Sequence, residues 1–433
     1  MYATIATTIL LASIQIRVHA LEKAAKDAED EFTASSQATE LAKNMEATVA
    51  TATSRATEFT KAATKLRIMA ASQTASMATA SYTAAAEAAK TALEILTKVT
   101  EQTPKINKAA SALRASANTA ELLSVLKSLT LSDKPMAAAN SYNTQDRRPL
   151  SFTLANDNGA CMESKDKRAA AKEGPASKNA ADHNRITLVT ANLRTSDGDT
   201  TKDLFLCSSN SQTAFGPSQT CSGDGSHVGL KGGKVFETKL ITINRKNKNA
   251  GSEYNDPATG NTIIPHVSTY KHQLAAIALG LDAARSLEAV PDPSDWLTKA
   301  GQKVDTKILA NVLKGAGKLE TAQEDHPSTK ELANQLYGTD GKKVETALKE
   351  NGPKNFKPGK AAIDDANKAL DSIDDPDVLY KAETYYTIKK FVDEEEQKKK
   401  NQASPSCPTN TDKAEEPPKT ADECKKAYNG ETL

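Results

Sequence analysis

The chain has 433 residues, 56 Lys+Arg against 55 Asp+Glu, a formal net charge of +1 and 4% aromatic residues. That length accommodates more than one domain and a sizeable core. A nucleic-acid binder is excluded by class, because near-neutral charge gives no footprint for phosphates and few aromatics leave little for base stacking.

At the N-terminus, Ile5 to Ile16 is mostly apolar but too short to span a bilayer. It is followed by Val18-His19-Ala20 and a charged segment from Leu21-Glu22-Lys23. This pattern predicts a secretory signal peptide over residues 1–20, with small residues at the cleavage site. Export permits disulfides, so Cys161, Cys207, Cys221, Cys407 and Cys424 are candidates for bridges rather than metal ligands. No two of them have the CxxC spacing of a zinc or redox site.

Residues 21–400 are expected to form one helical domain. From Leu21 to Thr103 there is neither glycine nor proline, which predicts a long helix or helical hairpin. Within it Met45, Val49, Ala52, Ala56, Phe59, Ala63 and Leu66 step by alternating fours and threes, the repeat of a coiled-coil seam. The seam is mostly alanine, so backbones approach closely while each contact buries little area. A single helix of about 80 residues would run about 120 Å, so the chain is expected to fold back, with Ser72-Gln73-Thr74-Ala75-Ser76 as the turn. The second arm is expected to carry Leu93, Leu96 and Val99, meet Pro104, and resume through Leu113, Leu122, Leu126 and Leu129, with Pro135 and Pro149 ending it.

Between about 136 and 262 the composition shifts to Asn, Asp, Ser, Thr and Gly, with strand-like runs at 186–189 and 239–243. This predicts a loop-rich, partly β lobe in which three cysteines staple irregular backbone, one bridge plus a spare thiol being the simplest count. Helical periodicity returns at Leu274, Ile277, Leu281 and Leu287 and stops at Pro291-Asp292-Pro293. Shorter helices are expected over 295–314, 328–337, 341–350 and 360–373. A last helix over about 376–398 sets Val378, Tyr385, Ile388 and Val392 on one side. The remainder, 401–433, reads as a Pro-rich linker and the start of a small domain bearing Cys407 and Cys424.

Chemistry-bearing motifs are sparse. HExxH, GxSxG, an EF-hand loop and paired CxxC are all missing from the sequence. Gly229-Leu-Lys-Gly-Gly-Lys234 imitates a phosphate loop, but Val228 stands where the first glycine belongs and Val235 where Ser or Thr should hold a metal, so it reads as an ordinary loop. His266 and His272 are six apart, off the helical face that two ligands would share. Asp364-Asp365 and Asp374-Asp375 suit helix ends, and Lys398-Lys399-Lys400, directly after three glutamates, suits a solvated helix end better than a lipid contact. No catalytic, cofactor or metal site is expected, and no cofactor is required.

Taken together these features resemble the trypanosome variant surface glycoproteins. The echoes are Ala84 to Leu96 in the second arm, Gly159-Ala-Cys161-Met162 at the entry to the lobe, and Gln273 to Gly280 in the returning helix. Leu379 to Lys390 in the last helix, Ser406-Cys407 and Thr420 to Cys424 complete the set. The resemblance implies a mainly α fold, an elongated coiled-coil helical hairpin or bundle carrying a loop-rich, partly β outward lobe. It also implies a homodimer at the outer face of the plasma membrane, held by a C-terminal glycosylphosphatidylinositol anchor that this sequence does not contain. Its expected partners are a second copy and host antibodies directed at the lobe. Its expected role is shielding and antigenic variation, with a receptor for a host serum protein on the same scaffold as the alternative. The family's common pattern has a cysteine in the first helix, and this chain has none before Cys161. Under this resemblance Cys161 with Cys207 is the first expectation for the remaining bridge, leaving Cys221 unexplained, and Cys207 with Cys221 is the local alternative.

Overall fold

A computed structural model describes residues 28–73, 75–138, 149–155, 185–194, 204–209, 227–247, 251–257, 263–293, 305–339, 342 and 352–402. The fold is mainly α. The chain divides into two compact units, one of Met1–Glu58 and Thr91–Pro293 and the other of Phe59–Lys90 and Ser294–Leu433. The expected signal peptide, most of the helix expected over 341–350, and the 403–433 tail lie outside the described residues.

Two long helices supply parts of both units. Helix α1 spans Glu31–Ser72 and α2 spans Ala75–Leu126, so the turn falls within the expected polar cluster. Alanine-rich sequence without glycine favours such length. Helix α2 passes through Pro104 without a break. One missing hydrogen bond and a ring clash cost about 3 kcal/mol, which the long helical flanks outweigh. The arm ends at Leu126, earlier than the prolines suggested, and Leu129 opens a strand instead.

In the first unit α1 and α2 run antiparallel. Arg114 on α2 makes a two-pronged pair with Glu46 on α1 at 2.6 and 2.7 Å. Ser35 Oγ donates to Glu121 at 2.8 Å. Helix α3 (Val267–Glu288) returns against both and buries Tyr270, Leu274, Ile277, Leu281 and Leu287. Gly280 marks the closest approach: a Cβ added there would lie 2.2 Å from the Ala109 Cβ and 2.8 Å from the Met45 Cε. The N-terminus of α3 is capped by His266, whose Nδ1 accepts from Ser268 N–H at 3.2 Å. Arg55 on α1 donates to the Glu288 and Val290 carbonyls at 3.1 and 2.8 Å, so a cation occupies the negative end of the helix dipole.

The same unit holds the strands, all paired antiparallel. They are β1 (Leu129–Leu131), β2 (Lys134–Ala138), β3 (Phe152–Leu154), β4 (Arg185–Leu193), β5 (Phe205–Ser209), β6 (His227–Lys231), β7 (Gly233–Lys234) and β8 (Phe236–Asn244). Their orders are β3-β1-β7, β2-β6-β5 and β4-β8. The two strand-like runs legible in the sequence pair with each other, Arg185 opposite Asn244 through Leu193 opposite Phe236. Val189 and Ala191 pack on Ala34, Ala120 and Leu123, and the Tyr270 hydroxyl donates to the Val189 carbonyl. These contacts fix the ribbon to all three helices.

The second unit completes its core with short helices. Helix α4 spans Thr306–Gly315 and α5 spans Pro327–Tyr337; Leu309 and Tyr337 pack on Ala80 of α2. Helix α6 is a single turn, Lys360–Ile363, followed by a 3-10 turn at Leu370–Ser372. One helix over 360–373 was expected; Asp364 instead adopts a left-handed backbone at φ 60°, and the Asp365 carboxylate accepts from the Asn367 and Lys368 amides. This side-chain turn competes with the helix for backbone donors. Helix α7 spans Pro376–Gln402. Ile68 and Met69 of α1 pack with Ile363, Leu370, Ile373, Leu379 and Ala382, while Val378, Phe356, Tyr385 and Tyr386 cover that cluster.

Candidate functional site

The seam on α1 is buried within the single chain. Met45, Ala52 and Ala56 in the first unit and Phe59, Ala63 and Leu66 in the second are at most 2% exposed, with Val49 half-buried. Small residues there serve close packing between helices of one chain, and the stripe is not left open for another molecule. On α2 the buried stripe runs through Ala84, Ala88, Ala92, Ile95, Ile106, Ala110, Leu113, Ala117 and Ala120. Leu93, Leu96 and Leu122, which the second arm was expected to carry, face outward at 65, 41 and 60% exposure. On α7, Val378 and Tyr385 pack inward as expected, but Ile388 and Val392 are exposed, together with Tyr380 and Phe391. Val392 is seven residues and about 20° from Tyr385 and so keeps to the same face, but the cluster that Val378 and Tyr385 cover takes no α7 residue beyond Tyr386, so Ile388 and Val392 have no core to pack on.

Of the cysteines, Cys207 is buried in β5 opposite Gly229 and is disulfide-bonded. Its bonding partner lies outside the described residues, as do Cys161, Cys221, Cys407 and Cys424.

The imitation phosphate loop is not a loop. Gly229 and Lys231 lie in β6, Gly233 and Lys234 in β7, and Gly232 between them. The Gly232 N–H donates to Asp133 Oδ1 at 2.8 Å and Lys231 Nζ lies 2.9 Å from Asp133 Oδ2, so its donors already serve a carboxylate. A Cβ on Gly232 would lie 1.8 Å from the Leu131 carbonyl oxygen, which is why glycine stands there. His266 and His326 cap α3 and α5, and His272 is exposed. Among the described residues no group of three His, Cys, Asp or Glu could hold a metal ion, and no helix is long and apolar enough to cross a membrane. An open groove beside α5 is lined by Asp325, Pro327, Lys330, Glu331, Asn334 and Gln335. It brings together no nucleophile with a base.

Two buried charge clusters, not legible from spacing, stand out in the first unit. The Arg245 side chain is fully buried and pairs with Asp282 of α3 while donating to the Ser252 carbonyl at 2.7 and 3.1 Å, with the Tyr254 ring 5.9 Å away. Burial pushes the Tyr254 hydroxyl far above its ordinary range, so it remains neutral. Glu31, at the start of α1, accepts from Lys127 Nζ at 3.0 Å and from the Thr238 hydroxyl of β8. Burial works against its charge, but these donors and its own backbone amide hold its carboxyl below the ordinary value. Both clusters join helix to strand.

A profile of the family described as Trypanosome variant surface glycoprotein (A-type) matches residues 6–387. Among curated protein sequences none matches the chain. Solved structures that resemble it include variant surface glycoprotein VSG13, 13% identical over 84% of this chain and 99% of that one, with a TM-score of 0.49. Another is VSGsur bound to suramin, 17% identical over 82% of this chain and 96% of that one, with a TM-score of 0.47. A further structure of VSGsur is 16% identical over 82% of this chain and 95% of that one, with a TM-score of 0.43. With the family match running through both compact units, the chain belongs to the A-type variant surface glycoproteins of trypanosomes.

Proposed function

We propose that this chain acts, without catalysis, as a coat protein that shields the parasite plasma membrane and presents a replaceable surface to host antibody. The observation that carries this reading is the family match over residues 6–387; the family's members are cell-surface coat glycoproteins. In this reading residues 1–20 direct export and a C-terminal glycosylphosphatidylinositol anchor holds the protein to the membrane. The protein works as a homodimer whose subunits cover apolar side chains such as Leu93 and Leu96, exposed in the single chain. Alanine-lined helices suit a coat, because slender helices pack many copies into a given area.

The test is biochemical. Living source cells are surface-labelled, treated with a phosphatidylinositol-specific phospholipase and analysed by mass spectrometry with cross-linking. The coat reading expects this chain among the most abundant labelled proteins, released by the lipase and cross-linked to itself. A scarce, monomeric species that co-purifies with a host serum protein overturns it in favour of a receptor.

A further inference from the structure

The last part of α7 stands free of the core. The helix is anchored by Leu379 and Ala382, which are buried, and by Tyr386, whose hydroxyl donates to the Pro358 carbonyl at 2.7 Å. From Phe391 to Lys400 every residue but half-buried Glu395 is exposed, yet the helix continues to Gln402. A helix of this length without tertiary packing is marginal in water unless its own side chains support it.

Here the charge order supplies that support. Lys389 Nζ lies 2.7 Å from Asp393 Oδ2, four residues on, and Lys398 Nζ lies 2.8 Å from Glu395 Oε1. The same spacing makes neighbours of Lys390 and Glu394, and of Glu394, Glu395 and Glu396 with Lys398, Lys399 and Lys400. In those last three pairs the acid precedes the base, the favourable order, and Lys399 and Lys400 sit in the last turn, where cations complement the helix dipole.

We propose that residues 391–402 form a self-supporting electrostatic spacer: a stiff helix held by its own four-residue charge pairs. It sets residue 402 about 18 Å, twelve residues at 1.5 Å each, from the packed part of α7. The charge run is thereby a mechanical element, fixing the distance and direction at which the following chain leaves the unit. This does not depend on the coat reading.

The test is hydrogen–deuterium exchange of the full chain at low salt and in 1 M salt, resolved by mass spectrometry. Amides of 392–402 are expected to exchange about tenfold more slowly than unstructured chain at low salt and to lose much of that protection at high salt. The triple variant K398E/K399E/K400E turns three attractions into repulsions and is expected to bring this segment to the unstructured rate while leaving 379–390 unchanged. A segment unprotected in the native protein, or equally protected in the charge variant, overturns the proposal. So does protection that disappears in I388K/F391K or on dilution, since the helix would then stand because a second copy covers its apolar residues. Ile388 and Phe391 are 58 and 65% exposed, so that double variant still folds.

Discussion

Arg245 and Asp282 meet through two parallel contacts, Nη1 to Oδ1 at 3.1 Å and Nη2 to Oδ2 at 3.0 Å, with the arginine side chain wholly inside the protein. Asp282 Oδ2 also accepts from the Gly251 amide at 2.7 Å, so one carboxylate holds the end of β8, the 251–257 segment and α3 together. Asp282→Ala leaves a buried guanidinium with only the Ser252 carbonyl, and a lost partner of this kind costs about 3 kcal/mol. Arg245→Met fills the same space without a charge and is expected to cost less than half as much. Chemical denaturation of both single variants checks the order; equal losses would show that packing rather than charge pairing holds this corner.

Gly280 is where α3 comes nearest to α2. Because an added methyl would overlap Ala109, Gly280→Ala is expected to lose about 1–3 kcal/mol through overpacking. Shrinking the facing residue returns the space, so the double variant Gly280→Ala with Ala109→Gly is expected to recover part of the loss despite the weaker helix propensity of glycine. Thermal melts of the two singles and the double give the coupling directly.

What the sequence disclosed and what it concealed follow one rule. Breaker-free, alanine-rich sequence announced α1 and α2, the 4-3 stepping from Met45 to Leu66 named residues that, half-buried Val49 apart, are buried, and the 186–189 and 239–243 runs turned out to pair. Leu93, Leu96 and Leu122 each stand one residue, about 100° of turn, from a buried position at Ala92, Ile95 and Leu123, and because alanine fills much of the stripe the larger side chain does not mark the inward face. The turn after Ile363 was hidden because a left-handed Asp364 leaves no mark in hydrophobic spacing. The Arg245–Asp282 and Glu31–Lys127 pairs join residues 37 and 96 apart, and no local pattern connects partners at that separation.

Phe59 tests the seam against the surface. It is fully buried in α1, whereas Leu206 of β5 is 73% exposed. Phe59→Asp inserts an unpaired charge into a packed core and is expected to lose more than about 4 kcal/mol, while Leu206→Asp remains within about 0.5 kcal/mol of the parent. Antibodies raised against the folded protein are expected to show the opposite sensitivity at sites they contact. Equal stability losses in the two variants would mean that the seam is not a closed core.

Glu31 gives the molecule an acid limb. Its carboxyl is held below its ordinary value of 4.5 despite burial, because the Thr238 hydroxyl, its own backbone amide and Lys127 favour the charged form. A depressed folded value means that the unfolded chain binds the proton first. The contribution to stability is therefore fully present above about pH 4.5 and is lost as the pH falls through the lower folded value. Glu31→Gln keeps the shape but removes the titration, so its stability is expected to be lower than the parent's at neutral pH and to converge with it in acid. Glu46 is also held low, chiefly by its hydrogen bond from Arg114, but at 37 and 45% side-chain exposure that pair contributes much less. Unfolding followed by circular dichroism from pH 7 to pH 3 separates the cases: parallel curves for parent and Glu31→Gln would show that this carboxylate does not set the acid limb, and convergence would show that it does.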